Sequence, residues 1–139
     1  MGRILAIDYG LKRTGIAVSD PLRIIATALE VVESDKLFNF LTSYFQKEAV
    51  DQLVVGMPRR LNNEDTEMTQ PVRNLVVELQ RRFPEKPVAL VDERFTTSLA
   101  HHTMISGGMK KKDRQVKGNA DKISATIILQ SFMAGGNKT

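Results

Sequence analysis

Three places in this chain set a carboxylate where it could do chemistry. Asp8 ends the apolar run Ile4-Leu5-Ala6-Ile7, and Asp92-Glu93 ends a second run, Val88-Ala89-Leu90-Val91. Asp121 precedes Ala125, Ile128 and Phe132 by four, seven and eleven residues, which puts it on their helical stripe. Taken singly, each acid has a plainer reading. Asp and Gly commonly terminate strands, and an Asp in a helix's first turn complements the dipole. Taken together, inward carboxylates are expensive to desolvate and repel one another unless a divalent cation neutralises them. The chain has no cysteine, and its two histidines, His101 and His102, are adjacent rather than spaced as a ligand pair. Oxygen donors therefore favour Mg²⁺ or Mn²⁺. Carboxylates holding one or two such ions suit phosphodiester hydrolysis, because the ions activate water, position a phosphate and stabilise the leaving oxygen. No nucleophilic side chain is then needed, and no Gly-x-Ser-x-Gly elbow is present.

Cations stand beside every candidate acid. Lys12 and Arg13 follow Asp8, Arg59 and Arg60 follow Gly56-Met57-Pro58, Arg94 adjoins Glu93, and a basic run from Lys110 to Lys117 precedes Asp121. The formal net charge of +4 and a pI near 9.5 add a modest bias toward polyanionic partners. Gly10 and Gly15 leave room for backbone to approach a phosphate, although a turn alone also explains them. With 6% aromatic residues there is no evident stacking platform, so recognition through sugar-phosphate and shape is expected. The candidate substrate contacts are Gly10, Lys12, Arg13, Arg59, Arg94, Thr96, Thr97 and Lys117.

The elements that must position these groups follow from periodicity. The run ending at Asp8 reads as a buried strand, Lys12 to Thr14 as a turn, and Ile16-Ala17-Val18 as a second strand. Thr27 to Val32 makes a third, so three short-linked strands should form an antiparallel meander. Ser34 is placed to cap a helix from about Asp35 to Glu48, with Leu37, Phe38, Leu41, Tyr44 and Phe45 on one face. Leu53-Val54-Val55-Gly56 is apolar throughout, as suits a central parallel strand. After the charged loop 59–67, Met68, Val72, Leu75, Val76, Leu79 and Phe83 mark a second helix, with Pro71 near its beginning and Pro84 just beyond its end. Val88 to Val91 is the fifth strand, Leu99 to Ile105 a short third helix, and Asn119 to about Met133 the last helix. This order predicts an α/β fold with a mixed five-stranded sheet, three N-terminal strands antiparallel and two later ones parallel, flanked by helices. In such sheets ligands gather beyond the carboxyl ends of the parallel strands, where Asp8, Gly56 and Asp92-Glu93 sit. Neighbouring strand residues face opposite ways, so one of Asp92 and Glu93 is expected to be a ligand and the other structural. The 139 residues are expected to form a single domain, with about 134–139 a frayed tail. No apolar run approaches a membrane span and no signal-peptide pattern opens the chain, so the cytoplasm is the default location.

Four segments resemble the motifs of the YqgF family: Asp8 through Asp20, Val55-Gly56-Met57-Pro58, Val91-Asp92-Glu93-Arg94-Phe95-Thr96-Thr97, and Asp121 through Gln130. They stand in the family's order and cover essentially the whole chain, and Asp92 to Thr97 is the most specific stretch. That family is of small bacterial proteins with a ribonuclease-H-like fold, described as Holliday junction resolvases and as nucleases that mature the 5′ end of pre-16S rRNA. The resemblance implies Asp8, Glu93 and Asp121 as the catalytic and metal-holding acids. It also implies a nucleic-acid substrate, either pre-rRNA or branched DNA, the ribosome as a partner, and a monomer or homodimer. The chain departs from the pattern in the loop after Pro58, where Asn62-Asn63 and Glu64, Asp65 and Glu67 replace a glycine-containing turn, and at Ala120 and Ser124 beside the last acid. Two other readings compete. Asp8-x-Gly10 with Thr14-Gly15 also resembles the phosphate loop of actin-like and sugar-kinase ATPases, but those close two such domains around a nucleotide. The other is a non-catalytic RNA-binding module in which the acids are structural and the basic loops bind.

Overall fold

The computed structural model describes residues 2–57, 66–92 and 119–134. Strands β1 (Arg3–Asp8), β2 (Arg13–Ser19) and β3 (Ala26–Glu33) form the antiparallel meander, in the register Asp8↔Gly15 and Thr14↔Val32. A 3-10 turn (Ser34–Lys36) leads into helix α1 (Leu37–Lys47). Strand β4 (Val50–Met57) then lies parallel to β1, and β5 (Val88–Asp92) lies parallel to β4 beyond helix α2 (Thr69–Arg82). The sheet order is β3-β2-β1-β4-β5, so β1 is central. Helix α3 (Asn119–Met133) ends the described chain.

Alternation along the strands divides the core into two layers. Leu5 and Ile7 of β1, with Leu53, Val55 and Met57 of β4, pack against Leu37 and Leu41 of α1 and Val72, Leu75 and Leu79 of α2. Ile4 and Ala6, with Ala17, Val54 and Val91, face the opposite way and are covered by Ala125, Ile128 and Leu129 of α3. A sheet covered on both faces requires the continuous apolar runs that β1 and β4 carry. Each fully buried Leu or Ile contributes about 1.5–3 kcal/mol. The small residues Ala6 and Ala17 on the α3 side leave room for that helix to lie close against the sheet.

Several boundaries differ from expectation. Arg13 and Thr14 are not in the turn but open β2, because β2 runs past the end of β1 and its first residues pair with β3 instead. Ser34 makes no capping hydrogen bond to α1, which begins at Leu37 rather than Asp35. Its hydroxyl is engaged elsewhere, as described below. Strand β4 is longer than its apolar run, since the ladder with β1 reaches back through Gln52 to Val50. Pro71 falls in the first turn of α2, where no intrahelical N–H partner is lost. The short helix expected over 99–105, the loop 59–65 and the tail from 135 lie outside the described residues.

Candidate functional site

Asp8 is the last residue of β1, the middle strand of the sheet. By alternation it follows Ile4 and Ala6 on the face that α3 covers, and it is half-buried where those two are fully buried. The register carries this level across the sheet. Ile7 pairs with Val55, so the next step sets Asp8 beside Gly56, while Gly56 pairs with Val91 and Met57 with Asp92. The carboxyl ends of β1, β4 and β5 thus form one row. With neighbouring strands about 4.8 Å apart, the backbones at Asp8 and Asp92 stand roughly 10 Å from one another. Asp121 lies in the first turn of α3, the helix packed on the Asp8 face. The structure therefore sets two of the three predicted acid-bearing segments, and the strand leading to the third, on elements packed directly together.

The loop after Asp8 is tightly built. Ser34 Oγ donates to the Gly10 carbonyl at 2.5 Å, and the Ser34 amide donates to the Lys12 carbonyl at 2.9 Å. Thr14 Oγ1, fully buried, stands 2.8 Å from Ser34 Oγ. The Ser34 hydroxyl has one proton and gives it to Gly10, so the Thr14 hydroxyl is the donor in that second contact. A Cβ added at Gly10 would lie 2.5 Å from the Arg13 carbonyl oxygen, so the close approach that needs glycine here is to the chain itself. Lys12 is exposed and Arg13 half-buried, and both line a cleft of about 510 Å³ with Leu11, Glu33 and Asp35. Glu33 is the register partner of Arg13 across the β2–β3 ladder, so this cleft has mixed charge.

Glu93, Arg59, Arg94, Thr96, Thr97 and Lys117 lie outside the described residues, as do the side chains of Asp92 and Asp121. Among the described residues no group of three or more His, Cys, Asp or Glu side chains could hold a metal ion. What the described part supplies is one rigidly placed carboxylate at the end of a row of parallel strands, in a chain with no cysteine thiolate to offer. That donor chemistry fits a hard divalent cation. Sequence reasoning missed the role of Ser34. A serine before an amphipathic run signals a cap, and nothing local reveals a partner 24 residues earlier.

Comparison with known proteins extends this geometry. Residues 2–135 match the family described as "RuvX: Holliday junction resolvase". A Bacteroides thetaiotaomicron protein named "Putative pre-16S rRNA nuclease" is 53% identical over 133 residues, 96% of this chain and 96% of that one. A Bacteroides fragilis protein of the same name is 52% identical with the same coverage. Among solved structures, Thermus thermophilus RuvC in complex with a Holliday junction substrate superposes with a TM-score of 0.61 at 14% identity, covering 99% of both chains. At that identity the likeness is one of fold, which is ribonuclease-H-like and of the RuvC type.

Proposed function

The chain belongs to the RuvX (YqgF) family, and from that premise we propose that it is a divalent-metal-dependent nuclease of structured nucleic acid. Its substrate in this reading is pre-16S rRNA, matured at the 5′ end in the cytoplasm, and residues 1–139 act as a single nuclease domain. The observation that carries it is the position of Asp8: the end of the central strand, level with the ends of β4 and β5, on the face covered by the helix that bears Asp121. Names of relatives identical at half their positions over nearly their whole length point to the rRNA substrate.

Asp8, Glu93 and Asp121 would hold Mg²⁺ or Mn²⁺. When bound, such an ion lowers the pKa of a water and stabilises charge on the leaving oxygen. The chain's own groups do the rest. Strand β1 holds the Asp8 carboxylate at a fixed point without an entropic cost at the moment of reaction. Lys12, Arg13 and Arg94 hold phosphates of the substrate, and Gly10, Arg59, Thr96, Thr97 and Lys117 are further contacts to its backbone. The described helices include none long and apolar enough to cross a membrane.

The test compares wild type with Asp8→Asn on precursor rRNA and on a four-way DNA junction, with Mg²⁺, with Mn²⁺ and with EDTA. We expect trimming of the rRNA by wild type with either ion, none in EDTA, and none by Asp8→Asn at an unchanged melting temperature. Full activity of Asp8→Asn, or equal activity in EDTA, would sink this mechanism. Junction resolution is the second reading, favoured by the family's description; cutting of the junction with the rRNA left intact would select it. RNA binding without cleavage under any divalent ion would instead identify a non-catalytic binding module.

A further inference from the structure

The segment joining Asp8 to β2 is fastened by one residue from the far end of the meander. Ser34 takes up two of its carbonyl oxygens, those of Gly10 and Lys12, through its hydroxyl and its amide. The buried Thr14 hydroxyl donates to Ser34 Oγ and so orients that hydroxyl toward Gly10. Two electronegative carbonyls are thereby turned inward, toward the β3–α1 junction, while the Lys12 side chain is left in solvent beside the cleft it lines. A phosphate approaching this loop is spared the repulsion of those carbonyl dipoles and meets an ammonium on a backbone that is already ordered.

We propose that Ser34 is a positioning residue for substrate: with Thr14 behind it, it holds the Gly10–Arg13 loop in the form that presents Lys12 to a phosphate, and itself touches neither substrate nor metal. This rests on the nuclease reading given above. It predicts a defect in binding and in the electrostatic component of binding, with the chemical step left intact.

The experiment measures kcat and KM on precursor rRNA, together with Kd by fluorescence anisotropy across a salt series, for wild type, Ser34→Ala, Ser34→Thr, Lys12→Met and the Lys12→Met/Ser34→Ala double variant. Ser34→Ala is expected to raise KM and Kd about ten-fold, the loss of one hydrogen bond's worth of order, with kcat within about two-fold of wild type. Its slope of log affinity against log salt should fall by about one, as it does for Lys12→Met. Ser34→Thr, which keeps the hydroxyl, should restore both. In the Lys12→Met background Ser34→Ala should add less than about two-fold. Thr14→Val removes the hydroxyl that orients Ser34 and should shift Kd the same way; it carries the test should Ser34→Ala fail to fold. A folded Ser34→Ala with wild-type Kd and salt slope, a fall in kcat at unchanged KM, or full additivity in the double variant would overturn the proposal. If Lys12→Met weakens binding and Ser34→Ala does not, the Ser34 proposal alone fails. If Lys12→Met binds like wild type, Lys12 holds no phosphate and the proposal fails with it. Absence of cleavage by wild type would defeat the nuclease reading, while the anisotropy data would still decide the role of Ser34.

Discussion

At Gly10 a single missing carbon decides the shape of the loop that follows the candidate catalytic acid. The atom a Cβ would strike is the Arg13 carbonyl oxygen at 2.5 Å, a backbone atom tied into the first residue of β2 and unable to swing aside as a side-chain tip could. Gly10→Ala is therefore expected to destabilise the fold by about 1–3 kcal/mol, read as a lower urea midpoint at unchanged m-value. The sequence reading left the glycine open between a turn and an approach by phosphate; the packing shows a demand from the chain's own backbone. Ser34 makes the same point more sharply. Its residue type and place before a helix suggest a cap, yet the hydroxyl bonds to Gly10 and Thr14, because the meander folds its far end back beside the Asp8 loop. An acid at the end of an apolar run was legible as a candidate; the hydrogen bonds that shape its neighbours were not.

Among the elements, α3 is the one whose limits periodicity defined best. The expected Asn119 to Met133 is the helix observed, and Ala125, Ile128 and Leu129 are buried as the stripe required, with Phe132 packed at its edge. Among the described residues this helix is what packs on that face of the sheet, so its apolar stripe bears directly on stability. Ile128, fully buried among Ala6, Val54 and Val91, is the informative position. Ile128→Ala should cost about 2–5 kcal/mol, seen as a lower melting temperature. Cleavage should survive below the new transition, because the variant deletes packing and no ligand. Helix α1 was less well placed from sequence, since its first residues are claimed by a 3-10 turn. Its apolar face was nevertheless correct: Leu37 and Leu41 are buried, and Phe45 meets Phe83 beyond α2 edge-on at 4.9 Å between ring centroids. Burial stripes survive a shift of boundary because they depend on period and not on where the first turn begins.

At the scale of the whole molecule, two of the described surface carboxylates bear on acid stability. Glu78 is held at about 2 rather than 4.5 by hydrogen bonds from Arg81 and then Arg82. Asp20 is lowered chiefly by the Ile25 amide, against a smaller opposing effect of burial, with the Ile24 amide adding to the lowering; both amides donate to Asp20 Oδ1 at 2.7 Å. A carboxyl whose folded pKa is depressed contributes its full stabilisation above its unfolded value and loses it as pH falls toward the folded one. For Glu78 that window runs from 4.5 down to about 2, and for Asp20 it lies below 3.8. The melting temperature is thus expected to decline as pH is lowered through this range, and Glu78→Gln should flatten part of that decline. Both groups sit at the surface, so added salt should shrink the effect.

For the described residues the sequence by itself determined the helices and strands, their order, the mixed five-stranded sheet and the apolar faces, because these follow from side-chain period and from the crossover each helix imposes. It also determined that acids stand at the ends of apolar runs. Only the tertiary structure decided the register that sets Asp8 beside Gly56 and one step from the level of Asp92, and the place of Ser34 beneath the loop. Those depend on pairings between residues tens of positions apart, which local pattern does not encode and which packing and ladder geometry select together.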